Sequence, residues 1–265
     1  MNTKSRITSI IQTNNLETKV TGIPTFRLTE LDLPNDLEFP LPTNVRLGHL
    51  TEKVVSHLIR SSSNFDILCE NLQIQDGKTT LGEIDFIIEN TITNQVMHME
   101  LAYKFYLYDP SISSEVLNNW IGPNRNDSLF KKLEKLKRKQ FPLLYHRCTK
   151  PYFNPLNYDT VSQVLCLLTS LYIPYQFKAR LGVEYERAIK GYYINYETFI
   201  NLKSSTNTFY LPPRKNWGME ASENKTWLNL GSIREEIFTS IKEQQSPLCW
   251  MKQDSSYTEF FITWW

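Results

Sequence analysis

Two segments of alternating polar and apolar residues constrain the fold of this chain most strongly. Thr79 to Glu89 reads TTLGEIDFIIE, and Val96 to Tyr108 reads VMHMELAYKFYLY. Successive side chains of a strand point to opposite faces, so this alternation predicts two β-strands. The segment between them, NTITNQ, is short enough to predict a hairpin. We therefore expect a β-sheet built around this hairpin.

Charged side chains lie inside these otherwise apolar strands. Asp85 interrupts the first strand, whereas Glu100 and Lys104 share one face of the second. Burial of a carboxylate or an amine is costly unless the group is paired or bound to a metal. The hairpin places Asp85 near Glu100, where the two negative charges repel each other. A divalent cation would remove that repulsion, and hard oxygen ligands favour Mg²⁺ or Mn²⁺.

The remaining pattern predicts helices and further strands around the hairpin. Apolar residues at helical spacing predict a helix from Leu47 to Ile59, and Asp127 to Gln140 reads as an amphipathic helix. Phe65 to Gln75 contains short alternating stretches and ends at a DGK turn, so it predicts a strand. The continuously apolar run from Val161 to Leu171 is typical of a buried central strand.

Composition along the chain predicts three parts. Residues 1–45 are polar and rich in proline, and we expect an N-terminal extension that wraps over the main domain or is partly mobile. Regular structure is expected to begin near Arg46 and to form a core over residues 46–180. Residues 181–265 are expected to be an elaboration packed on that core, with a helix at 229–243 and a terminal strand. The pattern near 184–201 fits either a helix or a strand at Tyr192 to Tyr196.

Charge is distributed unevenly, although the net charge is only +1. Residues 46–110 contain five basic and nine acidic side chains, and residues 111–150 contain nine basic and three acidic ones. A metal site beside a phosphate-binding face would have this arrangement. A solvated helix face is the other explanation. The candidate nucleic-acid contacts on the predicted helix are Lys131, Lys132, Lys135, Arg138 and Lys139.

The overall composition is that of a globular protein. Hydrophobic residues make up 41% and charged residues 22%, which excludes wholesale disorder. The four cysteines are scattered without a CxxC pair, which indicates reduced thiols rather than a zinc ribbon. The longest apolar run, Val164 to Pro174, is too short to cross a bilayer, and the first residues do not resemble a signal peptide. We expect a cytoplasmic protein with no membrane partner.

Several of these motifs together resemble a known superfamily. A helix containing GHLTE, the GEIDFI strand, a turn and a strand with Glu and Lys resemble the PD-(D/E)XK nucleases. The run from TLGEIDF through ELAYKFYL to WIGPN resembles an uncharacterised bacterial domain-of-unknown-function family placed in that superfamily. The resemblance implies an α/β (α+β) fold with a restriction-endonuclease-like core. In such a core, helices flank a central mixed β-sheet.

The resemblance also implies roles for individual residues. Asp85 would be the central metal ligand, Glu100 the second carboxylate, and Glu52 the helix carboxylate that reaches the metal or its waters. Lys104 would be the catalytic lysine. The superfamily pattern is Glu-x-Lys, but here Ala102 stands at the usual lysine position. Lys104 still shares a face with Glu100 because strand side chains repeat every two residues.

Three functions are compatible with the sequence. The first is a Mg²⁺- or Mn²⁺-dependent nuclease that hydrolyses phosphodiester bonds in DNA, and less so in RNA. The second is a catalytically inactive module on the same scaffold that binds nucleic acid or protein, which the displaced lysine favours. The third is an unrelated α/β protein in which the charged residues form surface ion pairs.

Overall fold

The computed structural model of the chain describes residues 2–153, 158–201 and 207–265. These residues form two compact units. The N-terminal unit comprises residues 2–103 and 131–168, and the C-terminal unit comprises residues 104–130 and 169–265. Strands β3 (Gln95–Tyr108) and β5 (Ser162–Pro174) each contribute residues to both units. The sequence-based division after residues 45 and 180 stays a prediction.

The N-terminal unit contains a sheet with the strand order β1-β2-β3-β5. Its two other strands are β1 (Phe65–Asp76) and β2 (Thr79–Asn90). Its helical elements are α1 (Thr3–Ile11), α2 (Thr18–Thr21), α3 (Leu47–Ser61), a π turn (Leu136–Gln140), α5 (Phe141–Leu143) and 3₁₀ turns at Leu28–Glu30, Lys150–Phe153 and Tyr158–Thr160. Helix α4 (Leu129–Lys135) belongs to this unit from Lys131 onward.

The predicted hairpins are confirmed. Strands β1 and β2 pair antiparallel around a turn in which Gly77 has a φ of +61°, a backbone conformation that glycine adopts without strain. Strands β2 and β3 also pair antiparallel, with Phe86 opposite Met99. Ile84, Phe86 and Ile88 are fully inaccessible to solvent, and so is Ile87 on the opposite face. The period-two pattern therefore predicts the strands, but both faces of β2 are covered in the structure.

The expectation that regular structure begins near Arg46 is wrong. Helix α1 buries Ile7 and Ile10 in the same apolar core as Val54 of α3. The following segment lies along β5, where the Phe26 N–H donates to the Leu165 carbonyl at 3.0 Å. The first residues are thus part of the core. Their apolar residues are few and separated by polar ones, which is why the sequence pattern was too weak to reveal this.

The predicted basic helix is confirmed with a change of geometry near its end. Leu129, Leu133 and Leu136 form its buried stripe, but the α-helix gives way to the π turn after Lys135. Helix α5 follows and packs against β2 at Gly82. A Cβ atom at Gly82 would lie 2.9 Å from Leu143 Cδ2, so glycine allows this close approach without a shift of the Leu143 side chain.

The C-terminal unit contains a sheet with the strand order β5-β6-β9-β8-β7, and β4 pairs with the end of β3. Its remaining strands are β4 (Trp120–Ile121), β6 (Ile189–Asn195), β7 (Thr208–Tyr210), β8 (Leu248–Gln253) and β9 (Ser256–Thr263). Its helical elements are α6 (Val183–Glu186), α7 (Tyr196–Ile200), α8 (Leu230–Lys242) and 3₁₀ turns at Val116–Asn119, Arg214–Asn216 and Ala221–Glu223. The predicted helix at 229–243 and the terminal strand are confirmed as α8 and β9.

The fold class is α/β, with mixed sheet structure and flanking helices, as predicted. Strands β1, β2 and β3 pair antiparallel, whereas β6 runs parallel to both β5 and β9. The ambiguous pattern near 184–201 proves to be a strand, β6, followed by the short helix α7. Across the described ranges, every helix is too short or too polar to span a lipid bilayer.

Candidate active site

Glu100 lies at the centre of a buried polar cluster in the N-terminal unit. Its side chain is fully inaccessible to solvent. One carboxylate oxygen, Oε1, lies 2.9 Å from His98 Nε2 on the same face of β3. The other oxygen, Oε2, accepts a hydrogen bond from the Gln140 side-chain amide. Both oxygens are therefore held by neighbouring side chains.

Asp85 lies beside Glu100, where the hairpin pattern predicts it. It directly precedes Phe86, the first residue of β2 that pairs with β3. Asp85 Oδ2 accepts a hydrogen bond of 2.8 Å from the Leu101 N–H, and the Asp85 N–H donates to Glu100. These reciprocal bonds hold the two carboxyl groups in one place. Asp85 is only partly buried, so it is the more accessible of the two acids.

The surroundings raise the pKa of both acids. Burial, together with the charge of Glu100, raises the pKa of Asp85 to about 7. Burial also raises the pKa of Glu100, whereas the positive charge of Lys132 lowers it. Two carboxylates in a poorly solvated space repel, and each therefore retains its proton at a higher pH than usual. A bound cation would reverse this effect.

Lys132 is a basic residue that influences both acids through its positive charge. Its charge lowers the pKa of both Asp85 and Glu100. Its Nζ atom donates to Gln140 Oε1 at 3.2 Å. Gln140 in turn donates to Glu100, so the amide connects the lysine and the carboxylate. The sequence analysis assigned Lys132 to nucleic-acid contacts and missed this position.

Lys104, the lysine that the superfamily pattern designates, has a different partner. It belongs to the C-terminal unit, where its Nζ atom donates to Asp127 Oδ2 at 2.8 Å. Both side chains of this ion pair are partly exposed. The catalytic role of Lys104 stays a prediction, and its ammonium group is engaged by another carboxylate.

Two further carboxylates influence the site through their charge. Glu52, on α3, is half-buried and lies 3.0 Å from His49 Nδ1. Its charge contributes to the raised pKa of Asp85. Glu83 has the same effect on Glu100, and the sequence analysis did not include it in the site. The role of Glu52 as a metal ligand stays a prediction.

The donor chemistry suits a hard divalent cation, but the set of ligands is small. Asp85 and Glu100 provide carboxylate oxygens, which are the donors that Mg²⁺ and Mn²⁺ prefer. Over residues 2–153, 158–201 and 207–265, no three His, Cys, Asp or Glu side chains are arranged around one metal position. Mg²⁺ commonly uses only one or two protein carboxylates and completes its shell with water and phosphate. The two acids therefore fit this ion.

The predicted nucleic-acid contacts on α4 and the π turn differ in their surroundings. Lys131, Lys135 and Lys139 are exposed. Arg138 is exposed as well, but its Nε atom lies 2.8 Å from Glu134 Oε2. Lys132 is half-buried and acts on the acids. Phosphate binding by this helix stays a prediction, and Lys131, Lys135, Arg138 and Lys139 are its exposed candidates.

His98 and Gln140 belong to the site although the sequence analysis did not select them. Burial lowers the pKa of His98 to about 4, so the imidazole is neutral at physiological pH. Its Nδ1 atom has no hydrogen-bond partner among the described residues. The spacing of His98 and Glu100 on one strand face gave a signal for the histidine. Gln140 gave none, because its position depends on the π turn.

Comparison with known proteins adds the family. The geometry defines an α/β protein with two acids and a lysine gathered at one hairpin. A family model described as a domain of unknown function, DUF1853, matches residues 12–259. The chain therefore belongs to the DUF1853 family. Searches of curated proteins and of solved structures give no match.

Proposed function

We propose that this protein is a metal-dependent nuclease that hydrolyses phosphodiester bonds in DNA. The observation that carries the proposal is the pair formed by Asp85 and Glu100. The two acids adjoin in a poorly solvated space, and both have a raised pKa. Such an arrangement costs stability without a compensating cation, and perturbed acids of this kind are concentrated in functional sites. The resemblance of the GEID and ELAYK strands to PD-(D/E)XK nucleases supports the same chemistry.

Each residue has a defined task in this proposal. Asp85 and Glu100 would hold Mg²⁺ or Mn²⁺, and Glu52 would bind one of its waters. A divalent ion supplies charge for the scissile phosphate and lowers the pKa of bound water. Lys132 offers positive charge beside the acids, where negative charge develops on the phosphate.

The exposed cations of the helix would hold the substrate. Lys131, Lys135 and Lys139 face solvent in the same unit as the two acids. Contacts between such side chains and phosphates position a duplex without reading its sequence. Binding should then weaken steeply as the salt concentration rises.

A second function is favoured by two observations. Lys104 binds Asp127, and the described part of the chain lacks a three-ligand metal cluster. Both features suit a non-catalytic module that binds nucleic acid through the exposed helix. This module would show salt-sensitive binding without hydrolysis.

The test compares hydrolysis by wild type, Asp85→Asn and Asp66→Asn. Asp66 is a matched control because it lies on the neighbouring strand β1 and is exposed. Plasmid, single-stranded and branched DNA and an RNA are incubated with Mg²⁺ or Mn²⁺, with EDTA as the blank. We expect metal-dependent cleavage of DNA by wild type and Asp66→Asn, and none by Asp85→Asn.

Other outcomes separate the alternatives. Cleavage that survives Asp85→Asn would contradict the assigned role of this residue. Binding without cleavage by wild type would favour the non-catalytic module. Absence of both at low salt would exclude nucleic acid as the partner.

A further inference from the structure

The π turn brings together two side chains that a continuous α-helix would keep apart. Lys132 and Gln140 are eight residues apart in sequence, which corresponds to about 12 Å along a regular α-helix axis. Side chains that meet on an α-helix are normally three or four residues apart. The π turn contains more residues per turn and so changes the direction of the side chains that follow it. Lys132 Nζ and Gln140 Oε1 consequently lie 3.2 Å apart.

Both polar atoms of the Gln140 side-chain amide form hydrogen bonds inside the site. Its oxygen accepts from Lys132, and its nitrogen donates to Glu100 Oε2. A side-chain amide can do this because it carries a donor and an acceptor at fixed separation. His98 binds the opposite oxygen of Glu100. The Glu100 carboxylate is therefore held from two sides.

The end of the π turn is itself fixed by the surrounding sheet. The Gln163 side-chain amide donates to the Phe141 carbonyl at 2.8 Å, directly after Gln140. The Phe141 ring packs edge-on against His98, with 5.3 Å between the ring centroids. Leu143 packs against Gly82, where an added Cβ atom would lie 2.9 Å from Leu143 Cδ2. These contacts hold the backbone that follows Gln140.

We propose that Gln140 is a positioning residue of this site, which orients the Glu100 carboxylate and holds Lys132 beside it. The inference rests on the proposed function, since the oriented carboxylate is the one that would bind the divalent ion. Residues that hold a metal ligand in place typically contribute 10- to 100-fold in metal affinity or activity. π turns of this kind frequently occur at functional sites.

The experiment measures Mn²⁺ affinity and DNA cleavage for wild type, Gln140→Met and Gln95→Met. Methionine has a shape similar to glutamine but cannot form these hydrogen bonds. Gln95 is the matched control because it lies on β3, as Glu100 does, but its side-chain amide donates to Ser162 outside the site. We expect Gln140→Met to weaken Mn²⁺ binding about 10- to 100-fold and to lower kcat with little change in KM for DNA. Gln95→Met should bind Mn²⁺ as wild type does.

A double variant tests whether Gln140 and Lys132 act as one unit. If they do, Lys132→Met combined with Gln140→Met should cost less than the sum of the two single effects on Mn²⁺ affinity. Circular dichroism verifies that each variant is folded. Full additivity would overturn the link between the two residues.

The remaining outcomes distinguish this inference from the proposed function. If Mn²⁺ binding depends on Asp85 but Gln140→Met binds as tightly as wild type, the positioning role is wrong and the nuclease proposal stands. If wild type binds Mn²⁺ no better than Asp85→Asn does, the metal site is absent. The nuclease proposal then fails together with the inference.

Discussion

Each of the two compact units carries acidic side chains on its strands, and the groups around these acids differ between the units. In the C-terminal unit, Glu259 on β9 accepts a 2.7 Å hydrogen bond from the Tyr172 hydroxyl, and burial raises its pKa. In the N-terminal unit, Asp85 and Glu100 lie side by side and raise the cost of ionising each other. A single acid with a neutral donor satisfies its hydrogen bonds locally. Two adjoining acids instead repel each other, and this cost is what motivates the proposed cation site.

The contacts of one lysine in each unit, Lys104 and Lys132, also differ. Lys104 in the C-terminal unit contacts Asp127 directly in a partly exposed ion pair, a type of contact that contributes little to stability. Lys132 in the N-terminal unit is connected to Glu100 through the Gln140 amide. Its charge lowers the pKa of both Asp85 and Glu100. The two lysines therefore differ in the carboxylates on which their charge acts.

The largest expected effect is on the rate of DNA hydrolysis. It appears when one acid of each unit is neutralised in a separate variant. Glu100→Gln should lower the rate of DNA cleavage about 1,000-fold or more, because it removes a metal-binding charge. Glu259→Gln should leave the rate unchanged. Initial rates on plasmid DNA at saturating Mg²⁺ measure both. Equal losses in the two variants would show that the contrast between the units has no functional meaning.

The second effect separates the two lysines. Lys132→Met should reduce the cleavage rate about 100-fold, which is typical for the loss of one group that stabilises transition-state charge. Lys104→Met should change it less than about threefold, since its ammonium group is engaged by Asp127 and a surface ion pair contributes little. Single-turnover cleavage at fixed Mg²⁺ measures the difference. The reverse order would restore Lys104 to the role that the superfamily pattern implies.

The smallest expected effect is on the free energy of unfolding, which can be measured without a substrate. The pKa of Asp85 is raised to about 7 in the folded protein, so the folded state binds the proton more tightly than the unfolded chain does. Stability from this group is therefore present at low pH and is lost as the pH rises toward 7. Asp85→Asn should increase the free energy of unfolding by about 2 kcal/mol at pH 8.

The same variant should show little gain at pH ~3, where the carboxyl group is largely protonated in both states. Urea denaturation at the two pH values measures this difference, with Asp66→Asn as the control. An equal gain for Asp66→Asn, or a gain independent of pH, would contradict the raised pKa of Asp85.

The sequence predicted the hairpin and its acids because their pattern is local. Alternation with a period of two fixes which side chains share a face, and a short turn fixes the pairing. Asp85 and Glu100 could therefore be placed beside each other without coordinates. The helix from Leu47 and the strand β5 followed from equally local periodicity. The N-terminal helix α1 was not predicted, because its few apolar residues contact the core only through tertiary packing.

The composition of the site depended on contacts that no local pattern encodes. Lys104 has the spacing of a strand neighbour of Glu100, yet it binds Asp127, which lies 23 residues further along the chain. Lys132 and Gln140 meet across a π turn that no local pattern predicts. The sequence by itself determined the strands and the acids that they carry. Only the tertiary structure decided which lysine and which amide meet those acids, because distant segments must pack before their side chains have a position.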